Sequence, residues 1–223
     1  MCAVIGLSAG CATSPSATTT SPSATVASPS ATAGHPGLGG GGSNARSGPA
    51  EGGASGTVDS VSTSGFTLST ATGQKVTVNE ASSTTYQNGT SSTSASAITT
   101  GESVLVVGTV SGTTITATQV SVQPTGSGGS ATSTAAGVIP FQRGAAAVSK
   151  QVGQIPNYTE GQGTIVSGTA ADKATEASLA AYPGGVVDRV VQVSGGVYEV
   201  HNIGVQWPHH VFVGQDFKVV GAN

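Results

Sequence analysis

A single helical pattern that runs directly into four strand patterns, over residues 169–220, constrains the architecture more than any other stretch of the chain. Thr169-Ala170-Ala171-Asp172-Lys173-Ala174-Thr175-Glu176-Ala177-Ser178-Leu179-Ala180-Ala181 reads as helix. Thr169 is placed to cap it, its hydroxyl accepting a first-turn N–H, and Asp172 suits the positive helix end. Pro183 disfavours a helical Tyr182, and Gly184-Gly185 permits the reversal. β-Branched runs follow at 186–193, 197–203, 209–213 and 217–220, separated by glycine-bearing turns. Alanines at 170, 174, 177 and 181 give a thin stripe able to approach a sheet closely, so valines and Phe212 or Phe217 must supply the bulk. Burial of one such ring contributes about 1.5–3 kcal/mol, and Phe217→Ala is expected to be badly tolerated.

Short strand patterns also occupy residues 54–123: Gly56 onward to Val61, then 66–70, 75–79, 103–110 and 114–122, with turns at Gly65, Gly73 and Gly112. Phe66 and Leu68, like Val76 and Val78, alternate with polar residues, the period-two signature of a sheet buried on one face. This predicts a small antiparallel barrel or sandwich. The phrases Gly56-Thr57-Val58-Asp59-Ser60-Val61, Phe66-Thr67-Leu68, Gly101-Glu102-Ser103-Val104-Leu105-Val106-Val107-Gly108 and Thr113-Thr114-Ile115-Thr116-Ala117 resemble the extracytoplasmic family of unknown function numbered 5666. That resemblance implies an OB-like β-barrel. Such barrels bind oligomers through aromatic and basic residues, and only Phe66, Tyr86 and Lys75 are available here, so a structural spacer is favoured over a ligand module.

Between and before these parts the composition changes. Residues 124–137 form a Gly/Ser/Thr/Ala linker, after which 145–152 suggests two helical turns and 163–166 a strand. Residues 12–53 read as a solvated stalk, with a seven-residue Ser-Pro-Ser-Ala-Thr repeat over 14–34 and a glycine-rich coil over 37–53. A proline in every repeat excludes a coiled coil. Residues 1–11 end Ser8-Ala9-Gly10-Cys11 and resemble a bacterial lipoprotein signal cut before Cys11. The resemblance implies diacylglycerol on the Cys11 thiol, and at about 0.8 kcal/mol per buried CH₂ several acyl chains make a firm membrane anchor.

Candidate chemistry is sparse. Seven Lys and Arg, scattered singly, with a net charge of −3, argue against nucleic acid. No Gly-x-Ser-x-Gly elbow occurs, and His35 is the only histidine outside the last strand patterns, so an enzyme is the weakest class and no cofactor is implied. His201, His209 and His210 lie on neighbouring strand patterns, where His201 faces His209 or His210 if the pair is antiparallel. With Glu199 and Asp216 as the only further ligand candidates, solvated strand histidines are favoured over a metal site. Asp188 and Arg189 are adjacent on a strand pattern, which predicts opposite faces and surface positions.

The last 86 residues, 138–223, also carry Ala174-Thr175-Glu176-Ala177 through Tyr182-Pro183-Gly184-Gly185, Val187-Asp188-Arg189-Val190, Tyr198-Glu199-Val200-His201 and Asp216-Phe217-Lys218-Val219, and so resemble the PepSY family. That resemblance implies an envelope module that binds or restrains a peptidase, with residues 204–208 inserted where the family has a short turn. Taken together, the expected fold is mainly β with a small α+β domain: a stalk, an OB-like barrel, and a helix on an antiparallel sheet. The expected function is a non-enzymatic extracytoplasmic binding protein, secreted or lipid-anchored to the membrane, with a peptidase or other envelope protein as partner. The alternatives are a surface spacer without a ligand and a weak histidine-based metal binder.

Overall fold

A computed structural model describes residues 48–124 and 150–223. The signal and Cys11, the repeat stalk, and the linker beyond Pro124 lie outside the described residues.

The N-terminal part is a five-stranded closed barrel. Strands β1 (Ala50–Ser62), β2 (Gly65–Ser69), β3 (Lys75–Asn88), β5 (Ser103–Ser111) and β6 (Thr114–Val122) close in the order β1-β2-β3-β6-β5-β1, and a short β4 (Ser91–Thr93) pairs with the end of β3. Four of the five neighbouring pairs are antiparallel, while β3 and β6 run parallel. An odd-stranded ring cannot alternate direction all the way round, so one parallel pair is the topological consequence of closure. Phe66, Leu68, Val76 and Val78 point inward as their alternation predicts, and meet Val58, Val106, Ile115 and Val120 in the barrel core. β3 continues nine residues past Asn79, through a Ser/Thr-rich stretch without apolar alternation. Buried Thr84 carries this extension by donating to the Ala117 carbonyl (2.8 Å) and accepting the Ala81 N–H (2.9 Å).

β1 begins at Ala50, inside the stretch expected to be stalk. Its first half pairs with β5 on one side and, at Gly53 and Ala54, with Val187 and Val186 of β9 (Val186–Gln192) on the other. The glycines there permit close approach. A Cβ on Gly52 would lie 2.0 Å from the Val187 carbonyl oxygen, and one on Gly53 2.1 Å from that of Val106. Glycines that read as flexible coil are thus the joint between barrel and C-terminal sheet.

From β9 the sheet continues antiparallel through β10 (Tyr198–Ile203), β11 (His210–Val213) and β12 (Val219–Ala222) to a two-residue β7 (Val152–Gly153), while β8 (Thr164–Ile165) pairs with the far end of β9. The helix α1 (Thr169–Ala181) covers one face. Its buried residues are Ala171, Ala174, Thr175, Ser178 and Leu179, a stripe that includes two hydroxyl residues and shares only Ala174 with the expected alanine row. Gly168, at φ 68°, occupies the N-cap in place of Thr169, and its N–H donates to the Glu51 carboxylate of β1. Tyr182 follows the helix and meets Trp207 edge-on at 5.5 Å, and Trp207 itself is buried with its Nε1–H donating to the Lys150 carbonyl. The inserted residues therefore contribute a core aromatic.

Of the two phenylalanines, Phe212 is fully buried. Phe217 is half-buried in the turn before β12, at φ 56°, stacked on Tyr198 at 5.7 Å with the Lys173 ammonium above it. Phe217 is thus the ring that adds to the core under α1, whereas Phe212 fills the opposite face of the sheet, against Tyr158.

Candidate functional site

The face of the C-terminal sheet opposite α1 carries a buried polar cluster. Val190, Val200 and Val211 point into the core under the helix. Period-two alternation sends their strand neighbours to the other side: Glu199 beside Phe212, and His201 beside His210 and Arg189. The register shifts at Asp188, since His201 pairs with Arg189 and Asn202 with Val187. A bulge sets two residues against one and turns adjacent side chains toward the same neighbour. Asp188 and Arg189 accordingly both reach His201 and are 4% and 3% exposed. The alternation that assigned them to opposite, solvent-facing sides fails at this extra residue.

The cluster is two carboxylate–imidazole pairs side by side. Asp188 Oδ1 lies 2.5 Å from His201 Nδ1, and Glu199 Oε1 lies 2.6 Å from His210 Nδ1. A carboxylate oxygen only accepts, so each imidazole donates its Nδ1–H, and in the neutral ring the lone pair then lies on Nε2. Arg189 Nη1 donates to Asp188 Oδ2 at 3.3 Å, packs 3.0 Å from His201 Nδ1, and has Glu160 3.9 Å from its Nη2. Tyr158 closes the cluster from above: its ring lies 5.3 Å from both His210 and Phe212, and its hydroxyl stands 3.1 Å from His210 Nδ1. Burial, then the Glu199 and Glu160 carboxylates, raise the Tyr158 phenol far above its ordinary range, with Arg189 opposing. Its hydroxyl therefore stays protonated as a donor. Tyr158 carries no sequence signal, because it lies in an irregular stretch 52 residues before His210, against which it packs.

His201 faces His210 directly across the ladder, with ring centroids 5.1 Å apart. His209 is exposed and its Nδ1 lies 3.3 Å from the Asn202 carbonyl. Glu199 belongs to the cluster as the acceptor for His210, whereas Asp216 sits in the β11–β12 turn with Lys218 at 2.9 Å. Among the described residues no group of three His, Cys, Asp or Glu is assembled for a metal ion.

A second feature is a groove of about 560 Å³ between the outer wall of the barrel and α1. Ser55, Thr57, Gln119 and Ser121 line the barrel side, Glu176, Leu179 and Pro183 the helix side, and Leu105 lies between. The lining mixes neutral hydroxyls and amides with apolar side chains, Val104, Leu105, Val122 and Leu179 among them, and carries one carboxylate. Burial, then the neighbouring Asp172, pushes Glu176 above its ordinary value against a smaller lowering by Lys173. The few aromatic and basic residues of the barrel are elsewhere: Phe66 is in the core, Lys75 pairs with Asp59 at 2.8 Å, and Tyr86 packs against the barrel core, its phenol pushed up to about 12 by burial and then Glu80.

No helix among the described residues is long and apolar enough to cross a membrane. Comparison with protein-family models, curated proteins and solved structures finds no match to this chain.

Proposed function

We propose that this chain is a non-enzymatic extracytoplasmic binding protein, tethered through lipid on Cys11, that holds an extended segment of an envelope partner in the groove between barrel and helix. A peptidase is the partner class implied by the PepSY resemblance of the helix and sheet. The observation that supports the reading is the groove itself: about 560 Å³ walled by hydroxyls and amides over Leu105 and Leu179. Such a wall offers neutral donors and acceptors to a peptide backbone, and apolar patches to its alternate side chains. Glu176 adds one negative charge, which suits a single basic group on the ligand.

A photo-crosslinking residue at Ser121, in the groove, is expected to capture one predominant envelope protein. The same residue at Val61, exposed on the barrel and outside the groove lining, serves as the reference. Identical capture from both positions would discard the groove as the binding site. Leu105→Trp, which fills the groove, is expected to abolish the Ser121-dependent product.

A further inference from the structure

We propose that His201 and His210 form a two-imidazole site for a divalent transition-metal ion, with both Nε2 atoms as donors and solvent completing the coordination. The inference is independent of the groove and of any protein partner.

Three observations carry it. First, each Nδ1 is committed to a carboxylate, Asp188 for His201 and Glu199 for His210, and these carboxylates are themselves 4% and 2% exposed. This is the backing that metal-ligating histidines use: the carboxylate fixes the tautomer, orients the ring and raises its basicity. Neither Nε2 hydrogen-bonds to another described residue, although both side chains remain 14% exposed and within reach of solvent.

Second, the ring spacing fits. An ion about 2.0–2.1 Å from two Nε2 atoms at a tetrahedral angle places the ring centroids roughly 5 Å apart. Direct cross-strand pairing holds these two rings at 5.1 Å, tilted by 55°.

Third, the charge of the surroundings favours a cation. The cluster holds two buried carboxylates, Asp188 beside Arg189 and Glu199 beside His210, against that one guanidinium, and Glu160 adds a further carboxylate 3.9 Å from Arg189. The other groups on this face, the Tyr158 phenol and the two imidazoles, contribute no permanent positive charge. Imidazole nitrogen suits Cu²⁺, Ni²⁺ and Zn²⁺, and copper heads the ordinary affinity order.

The test uses the full chain with Cys2→Ser and Cys11→Ser, so that thiolates do not compete, titrated with CuCl₂ and ZnCl₂ by calorimetry. One ion per chain is expected, Cu²⁺ tighter than Zn²⁺, with nitrogen splitting from two imidazoles in the Cu²⁺ electron paramagnetic resonance spectrum. His201→Gln and His210→Gln are each expected to weaken binding at least tenfold, and Glu199→Gln roughly 10–100-fold through loss of ring orientation. His209→Gln and His35→Gln are expected to leave it unchanged. Paramagnetic broadening by Cu²⁺ in the otherwise unsubstituted protein, confined to amides around residues 201 and 210, answers the case in which a cluster variant fails to fold. No binding, binding indifferent to His201 and His210, or broadening centred on residue 35 or 209 would overturn the proposal.

Discussion

Gly53 has more structural consequence than any of the larger residues around it. Its missing Cβ lets β1 lie close against β5 and beneath α1, and a methyl there would meet the Val106 oxygen at 2.1 Å and the Thr175 methyl at 3.2 Å. Backbone cannot yield as a side-chain end does, so Gly53→Ala is expected to cost about 3 kcal/mol or more. Gly48→Ala, with nothing within 4 Å, should stay within about 0.5 kcal/mol. Urea denaturation midpoints of the two variants test the contrast, and equal midpoints would remove Gly53 from the joint. The two phenylalanines give a second contrast. Phe212→Ala empties a fully buried site and is expected to cost about 3–5 kcal/mol. Phe217→Ala removes a half-buried ring from a turn, and should cost less than half as much in the same assay.

At the scale of elements, the helix shows what a sequence carries and what it does not. Its extent, 169–181, was legible because alanine-rich helical periodicity stops at Tyr-Pro-Gly-Gly. Its cap was not legible, because the partner of the Gly168 N–H is Glu51, 117 residues earlier. Glu51→Ala is therefore expected to cost about 0.5–2 kcal/mol and to speed amide exchange in the first turn of α1 while leaving the barrel amides protected. Unchanged exchange at residues 169–172 would contradict it. The strands were legible wherever apolar alternation marked them, and β3 was cut short where hydroxyl hydrogen bonds replace apolar side chains. The His201–His210 pairing was open to a sequence reading, since two strand patterns joined by a loop bring it about. Asp188 and Arg189 were not, because one extra residue in a strand reverses the face of everything beyond it and leaves no mark in composition.

The side of α1 that faces the barrel also sets a pH response. Asp172 and Glu176 are both raised, chiefly by burial, with repulsion from Glu51 adding at Asp172 and repulsion from Asp172 adding at Glu176. A carboxyl group whose folded value lies above its unfolded one binds more protons in the native state, so its contribution to stability falls as pH rises through that window. The window opens at the ordinary values, 3.8 for Asp172 and 4.5 for Glu176, and extends upward. Glu176→Gln is expected to raise the thermal midpoint at pH 7 and to leave it nearly unchanged at pH 4. An equal gain at both pH values would assign the effect to packing instead of charge.

For the whole molecule, the decisive fact is that barrel and C-terminal sheet share one strand. Val186 of β9 lies in the barrel core, and Leu105 of the barrel packs against the core beneath α1. The Thr72 hydroxyl donates to the Gly184 carbonyl at 2.5 Å, and Glu51 caps the helix. Each half therefore supplies part of the other's interior, and neither core is complete without its neighbour. Calorimetry of the full chain is expected to show one unfolding transition whose calorimetric and van't Hoff enthalpies agree. A fragment of residues 138–223, cut where composition alone suggests a domain, should lose the near-ultraviolet circular dichroism of Trp207, because α1 then lacks β1 and its cap. Two resolved transitions, or a fragment with native dispersion and cooperative melting, would show that the sheet is shared in space but not in energy. The same coupling bears on binding. A ligand that wedges into the groove presses on Ser55 and Thr57 of β1 and on Leu179 of α1 together, so it is expected to raise the midpoint of the single transition and to slow amide exchange on both sides of the joint.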